Sequence, residues 1–126
     1  MKEDKKKIIG RYIKSYNEFD VEGMVEGLAE NIVFENIANE SVTLRTEGIE
    51  EFVQQAKMAT KYFKSRQQTV ETWRFNDSNV IVEIAYKAIL AIDLPNGLKK
   101  GDSLELKGIS EFEFENQKIV RITDRS

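Results

Sequence analysis

The stretch of sequence that decides the fold is RYIKSYNEFDVEGMVEGLAENIVFEN, residues 11–36. Apolar side chains recur at helical spacing over Lys5–Tyr16, which predicts an amphipathic helix with one wide apolar stripe. Asp20 is a suitable N-cap for a short second helix, because its carboxylate can accept hydrogen bonds from the first free amide groups. The run Ile32–Ala38 starts apolar and predicts a strand.

The rest of the chain contains one more helical pattern and then changes to strands. Ser41–Arg45 predicts a short strand, and Ile49–Phe63 predicts a third helix. Because the later connections are short and rich in turn-forming residues, we expect neighbouring strands to be antiparallel. Helices followed by an antiparallel sheet indicate an α+β fold, and we expect a single domain over residues 1–126. The four later strands are predicted at Gln67–Phe75, Val80–Ile92, Leu104–Glu115 and Lys118–Asp124.

The composition excludes several kinds of reaction chemistry. The chain has 126 residues, of which 40% are hydrophobic and 33% charged, as is typical of a globular protein. It contains no cysteine and no histidine, so disulfides, thiol nucleophiles, Ser-His-Asp triads and histidine-ligated metals are excluded. Acid–base chemistry must come from carboxylates, tyrosines or lysines. We expect no metal and no cofactor.

Charge and hydropathy limit the partners. The net charge is −3, and basic residues cluster only at Lys2 and Lys5–Lys7, so we expect no nucleic-acid partner. No apolar run approaches the length of a transmembrane helix, so we expect no membrane partner. The N-terminal lysines are not followed by the apolar segment of a signal peptide, which favours the cytoplasm.

The order of elements in residues 11–36 resembles the opening of the SnoaL-like and ketosteroid-isomerase-like families of the nuclear-transport-factor-two-like superfamily. The run RTEGIEEF, residues 45–52, is similar to the G-x-x-x-F entrance to the third helix of those families. The resemblance implies a cystatin-like α+β cone, in which three N-terminal helices pack on a strongly curved, mostly antiparallel mixed sheet. Such a cone encloses a pocket.

The same resemblance suggests where catalytic groups lie. Ketosteroid isomerases use a carboxylate base, a tyrosine and a protonated aspartic acid. The shared run Arg-Tyr-x-x-x-x-Asn-x-x-Asp places the tyrosine on Tyr12, and the base and the acid fall on Asn36 and Ser110. An amide takes no proton at neutral pH, so we do not expect steroid isomerisation and the base is unidentified. Tyr12 and Ser110 are the candidate catalytic residues. Glu35 faces the opposite side of the strand unless a bulge turns it inward.

Further residues are candidates for lining the pocket. Aromatic side chains could line it or simply fill the core, which is their commoner role. For Asp124 we favour a surface carboxylate at a frayed terminus over the acidic residue that the resembled families often hold there. The ligand-binding candidates are Tyr16, Phe34, Asn36, Trp73, Tyr86 and Phe112.

Alternation along the long strands predicts two differently covered sheet faces. In the Leu104–Glu115 strand, the face that carries Leu106 and Ser110 should pack on the helices. The Val80–Ile92 strand is apolar on both faces, although helices can cover only one. We therefore expect a two-fold homodimer through the outer face, although the chain's own N-terminus is an alternative cover. The outer face carries Ile81, Ala85, Ile89 and Ala91.

The resemblance implies a protein that binds a small, apolar, carbonyl-bearing molecule. If it is an enzyme, an isomerase, cyclase or dehydratase reaction on a carbonyl compound is expected. The alternative is a non-catalytic dimeric module for ligand or protein binding, because this superfamily hosts both classes.

Overall fold

The structure of the protein, a computed structural model, describes residues 2–126. Helices pack against a curved sheet of six strands, so the predicted α+β fold is confirmed. Over residues 2–126, no helix combines the length and apolar character needed to span a bilayer. The elements are α1 (Lys2–Asn17), α2 (Val21–Val25), β1 (Leu28–Ala38), β2 (Ser41–Glu47), α3 (Ile49–Thr60), β3 (Phe63–Phe75), β4 (Asn79–Leu90), β5 (Ser103–Glu115) and β6 (Lys118–Arg125).

The sheet has the strand order β2-β1-β6-β5-β4-β3. β1 and β6 are parallel, whereas every other neighbouring pair is antiparallel, as the prediction of a mostly antiparallel mixed sheet required. The strand that is last in the chain therefore lies in the middle of the sheet. Its inner side chains face the helices instead of lying at an edge.

The core lies between α1 and the inner face of the sheet. The apolar stripe of α1 buries Ile9 and Ile13 against Val80, Val82 and Ile122. Each such side chain contributes about 1.5–3 kcal/mol when it leaves water. The apolar side chains on one face of α1 and those on the inner face of the strands thus form one apolar layer.

The short helix α2 depends on capping and packing. The Asp20 carboxylate accepts a hydrogen bond from the Gly23 amide at 3.0 Å, which confirms the predicted N-cap. Met24 is buried in the core. A helix of one turn is unstable in isolation, so these two anchors hold it in place.

Two strands, β1 and β3, begin four residues earlier than the sequence predicts, because distant pairing extends them. α3 ends at Thr60, and Phe63 belongs to β3, where it pairs with Leu90 of β4. β1 begins at Leu28, which pairs with Ile119 in the parallel ladder with β6. Local periodicity contains no information about such long-range partners.

The inner face of β5 is covered over only part of its length. Ser110, Phe112 and Phe114 are buried, as predicted. Leu106 was expected to pack on the helices, but its side chain is 52% exposed, so that prediction is wrong. The helices do not reach this end of β5, which leaves an open cleft beside Leu106.

Candidate functional site

A cavity of about 370 Å³ lies between the helices and the inner face of the sheet. This volume is within the range of small-molecule sites. Its apolar wall consists of Met24, Phe34, Leu44, Phe52, Ala56, Ala59 and Phe63. The polar groups that reach it are those of Tyr12, Tyr16, Asn36, Thr46, Gln55, Tyr62, Arg66, Gln68 and Asp124.

Helix α1 brings Tyr12 and Tyr16 to the cavity from one face, because the two residues are one turn apart. The Tyr16 hydroxyl lies 3.0 Å from the Tyr86 hydroxyl. Burial raises the pKa of all three phenols above the ordinary value, and the negative charge of Asp124 raises the pKa of Tyr12 further. The three phenols are therefore protonated at neutral pH and can donate hydrogen bonds.

Asp124 is the one carboxyl group in the wall of this cavity. It lies on β6 opposite Ser110 of β5, and the Ser110 hydroxyl donates a hydrogen bond to its Oδ1 at 2.7 Å. Burial raises the pKa of Asp124 from the ordinary 3.8 to about 6, and the bond from Ser110 opposes this shift. The carboxyl group thus changes its protonation state close to neutral pH.

The prediction that Asp124 is a surface carboxylate at a frayed terminus is wrong. β6 pairs with β1 on one side and β5 on the other, so Asp124 lies within the sheet. A signal was present in the sequence. Ile122 and Asp124 are two residues apart, and alternation puts both on the face that contacts the core.

Asn36 lies in the cavity wall, and its side-chain amide donates to the Thr43 hydroxyl at 2.9 Å. A bulge occurs here, since β2 has an extra residue, Thr43, opposite the step from Asn36 to Ile37. The bulge does not turn Glu35 inward. Glu35 forms ion pairs with Arg45 and Arg121, and the bond from Arg45 is the main cause that lowers its pKa.

The other predicted residues divide into two groups. Tyr86 and Ser110 line a cleft that adjoins the cavity and shares Asn36 and Asp124 with it. Trp73 and Phe112, also predicted as ligand-binding residues, line neither the cavity nor this cleft. Trp73 stacks on Phe75 with ring centroids 5.8 Å apart, and Phe112 is buried edge-on against Tyr12. Both fill the sheet–helix core.

Arg66 was not predicted from the sequence and is the most unusual residue of the site. It lies on β3, and only 5% of it is exposed. Its Nε donates to the backbone carbonyl of Tyr16 at 2.8 Å. The guanidinium carbon lies 3.7 Å from the centroid of the Tyr16 ring and 4.6 Å from that of Phe19. Its Nη2 is buried and has no hydrogen-bond partner in residues 2–126.

Thr46 on β2 is a second buried polar residue that the sequence analysis missed. Its hydroxyl also has no partner in the described part of the chain. The sequence around a threonine or an arginine in a strand does not predict that the residue is buried, because both residue types are common on exposed strand faces. Their position next to a cavity becomes visible only once the sheet has been assembled.

The comparison with family models decides the family. The model of the SnoaL-like domain matches residues 9–122. The chain belongs to the SnoaL-like family. This membership indicates a small-molecule-binding, isomerase- or cyclase-like role. No protein with a curated description matches the chain.

Solved structures agree with this assignment at the level of the fold. A proposed polyketide cyclase from Xanthomonas campestris pv. campestris has a TM-score of 0.81 at 19% identity, covering 98% of this chain and 90% of that protein. A proposed SnoaL-like polyketide cyclase from Jannaschia sp. CCS1 has a TM-score of 0.79 at 12% identity, covering 96% and 83%. AclR, a proposed hydroxylase from Streptomyces galilaeus, has a TM-score of 0.76 at 18% identity, covering 98% and 88%.

Proposed function

We propose that this protein binds an apolar, carbonyl-bearing small molecule and moves a proton next to its carbonyl group. Asp124 is the acid–base residue in this proposal. The observation that carries it is a carboxyl group with a pKa of about 6, held by Ser110 in the wall of a largely apolar cavity. The polyketide cyclases among the structural neighbours support a reaction of this kind.

The pKa of Asp124 suits both halves of a proton transfer. Near neutral pH the group is mostly ionised and can accept a proton from the carbon beside the carbonyl. Once protonated, it is acidic enough to return the proton to another atom of the same molecule. An ordinary aspartate would be a much weaker base, because its pKa lies further below neutral pH.

Tyr12 and Tyr16 supply the groups that an enolate needs. When a proton leaves the carbon, its electron pair moves onto the carbonyl oxygen, and neutral phenols stabilise that oxygen by donating hydrogen bonds. Return of the proton to a different carbon gives an isomerisation. Attack of the enolate carbon on a second carbonyl of the same molecule closes a ring, and protonated Asp124 then supplies the proton for the new alkoxide.

Ser110, which the sequence predicts to contact the substrate, takes a different role in this mechanism. Its hydroxyl donates to Asp124 and is committed to that bond. Ser110 is therefore a positioning residue that orients the carboxyl group and limits the rise of its pKa. Tyr12 and Asp124 form the catalytic pair.

The test is exchange of the acidic hydrogens of 2-tetralone for deuterium in heavy water, followed by proton NMR. We expect the protein to accelerate exchange and Asp124→Asn to reduce the rate by about a hundredfold or more, because it removes the base. Asp77→Asn is the matched control, since Asp77 is exposed and does not line the cavity. Undiminished exchange in the Asp124 variant would refute the proposal.

A homodimer through the outer sheet face is the second part of the proposal. On this face Ile89 and Ile109 are 36% and 42% exposed, although both are large apolar residues. Ile81 and Ala85 of β4 are partly exposed on the same face. Charged residues interrupt this surface, so its burial would depend on a partner that pairs with them. The cytoplasmic location stays a prediction from the sequence.

A further inference from the structure

We propose that the ligand of this cavity carries a carboxylate and that Arg66 binds it. This inference rests on the proposed function, because it assigns a ligand class to the same cavity. The class is an aromatic or polycyclic carbonyl compound that also carries a carboxylate.

Arg66 is a buried cation without an acidic partner. None of the ion pairs in residues 2–126 includes it, although Arg11, Arg45, Arg121 and Arg125 each pair with a glutamate. Removing a charge from water is costly unless another charge compensates it. The rings of Tyr16 and Phe19 offset part of this cost through cation–π contact. They leave the positive charge itself without a counter-ion.

The hydrogen-bonding groups of this region are also incompletely used. Buried donors almost always have a partner in folded proteins. Here the Arg66 Nη2 and the Thr46 hydroxyl have none among the described residues, and both residues line the same cavity. Thr46 on β2 and Arg66 on β3 lie on the two edge strands of the sheet, so the Arg66 Nη2, a cationic donor, is the free group that can meet a carboxylate bound at Arg66.

The hydrogen bond that Arg66 donates to the end of α1 does not account for its free Nη2. Its Nε bonds the carbonyl of Tyr16 at the C-terminal end of α1, where a positive charge is favourable. That contact uses one of the three guanidinium nitrogens. A lysine could supply the same charge and a single donor, whereas the planar fork of arginine suits a carboxylate.

The position of Arg66 keeps two negative charges apart. Arg66 is on β3 and Asp124 is on β6, and β4 and β5 lie between them in the sheet. A ligand whose carboxylate contacts Arg66 can thus extend along the apolar wall of Phe52 and Phe63 towards Tyr12. The wall between the two polar ends fits rings better than flexible polar chains.

The experiment compares two probes of the same shape by titration calorimetry at about pH 7.5, where a carboxylic acid is ionised. The probes are 2-naphthoate and 2-naphthamide. We expect the protein to bind the acid about tenfold or more tightly than the amide, because a charge-assisted bond is stronger than a neutral one. Arg66→Gln should abolish this preference, and Arg66→Lys should retain part of it.

Two controls separate binding from folding. Arg74→Gln removes the same charge from an exposed position of β3 and should keep the preference. Thr46→Val keeps every charge and changes the edge strand opposite to that of Arg66, so it should also keep the preference for the acid. If Arg66→Gln fails to fold, Arg66→Lys carries the test, and an undiminished preference for the acid in that variant would overturn the proposal.

The outcomes distinguish this inference from the proposed function. Equal affinity of the unmodified protein for both probes would overturn the carboxylate proposal and leave the small-molecule cavity in place. A preference for the acid that survives in Arg66→Gln would overturn it as well. If neither probe binds, the carboxylate proposal is wrong, and the deuterium exchange of 2-tetralone decides separately whether the proposed function is also wrong.

Discussion

At the scale of single residues, Asp124 couples the proposed chemistry to stability. Its pKa of about 6 in the folded protein exceeds the ordinary 3.8. As the pH rises through this window, the unfolded chain loses its proton first. The folded state therefore loses stability with rising pH, and the full cost is present above the folded pKa. Sites adapted for catalysis often carry such a cost.

We predict that Asp124→Asn stabilises the protein at neutral pH. Asparagine has no charge to desolvate and can still accept the bond from Ser110, so the free energy of unfolding should rise by about 2 kcal/mol. The gain should shrink as the pH falls below about 6 and vanish near pH 4, where Asp124 is itself neutral. Urea unfolding at several pH values measures it.

The control for this prediction is Asp77→Asn, which changes an exposed aspartate. It should give no pH-dependent gain between pH 4 and about 6. A stabilisation by Asp124→Asn that stays the same at every pH would contradict the prediction, because it would not follow the charge of the carboxyl group.

The sequence predicted the residues that face the cavity from α1 and β1 better than those that face it from β3 and β6. Tyr12, Tyr16 and Asn36 lie on the first elements, where helical and strand periodicity fix their direction. Asp124 and Arg66 depend on which strands become neighbours and how far the helices reach. Residue spacing along one strand does not contain that information.

At the scale of elements, two hairpin turns carry backbone strain. Asn116 and Gln117 have φ values of +50° and +67°, and Asn39 and Glu40 have +51° and +66°. Positive φ at both central positions is the pattern of a type I′ turn, which favours Asn followed by Gly. The sequence indicates both turns, because each begins with a turn-forming asparagine, Asn39 or Asn116. The second residue of each turn adopts a conformation that its side chain disfavours.

We predict that Gln117→Gly stabilises the protein by about 0.5–1 kcal/mol, because glycine adopts positive φ without a steric cost. The melting temperature should rise by a few degrees. Lys118→Gly is the control, since Lys118 lies in β6 and has no positive φ. Glycine there should lower the melting temperature. If both changes destabilise equally, the strain at Gln117 does not exist.

At the scale of the whole molecule, the outer sheet face is the feature whose role depends on a second chain. We predict that the protein sediments as a dimer at micromolar concentration. Ile89→Lys together with Ile109→Lys should give monomers, because two charges would be buried in the interface. Met58→Lys, at an exposed position of α3 and outside the sheet, should leave the dimer intact. A monomer of the unmodified protein would contradict the proposed interface.

The central place of β6 in the sheet affects how the protein folds during its synthesis. Without β6, the sheet order leaves β2-β1 on one side and β5-β4-β3 on the other, with no strand between them. A nascent chain must therefore hold two unjoined half-sheets until its final strand emerges from the ribosome. Long-range closure of this kind is slow. Asp124, the acid–base residue of the proposed function, arrives with the strand that closes the gap, so we expect a chain without β6 to lack the proposed activity.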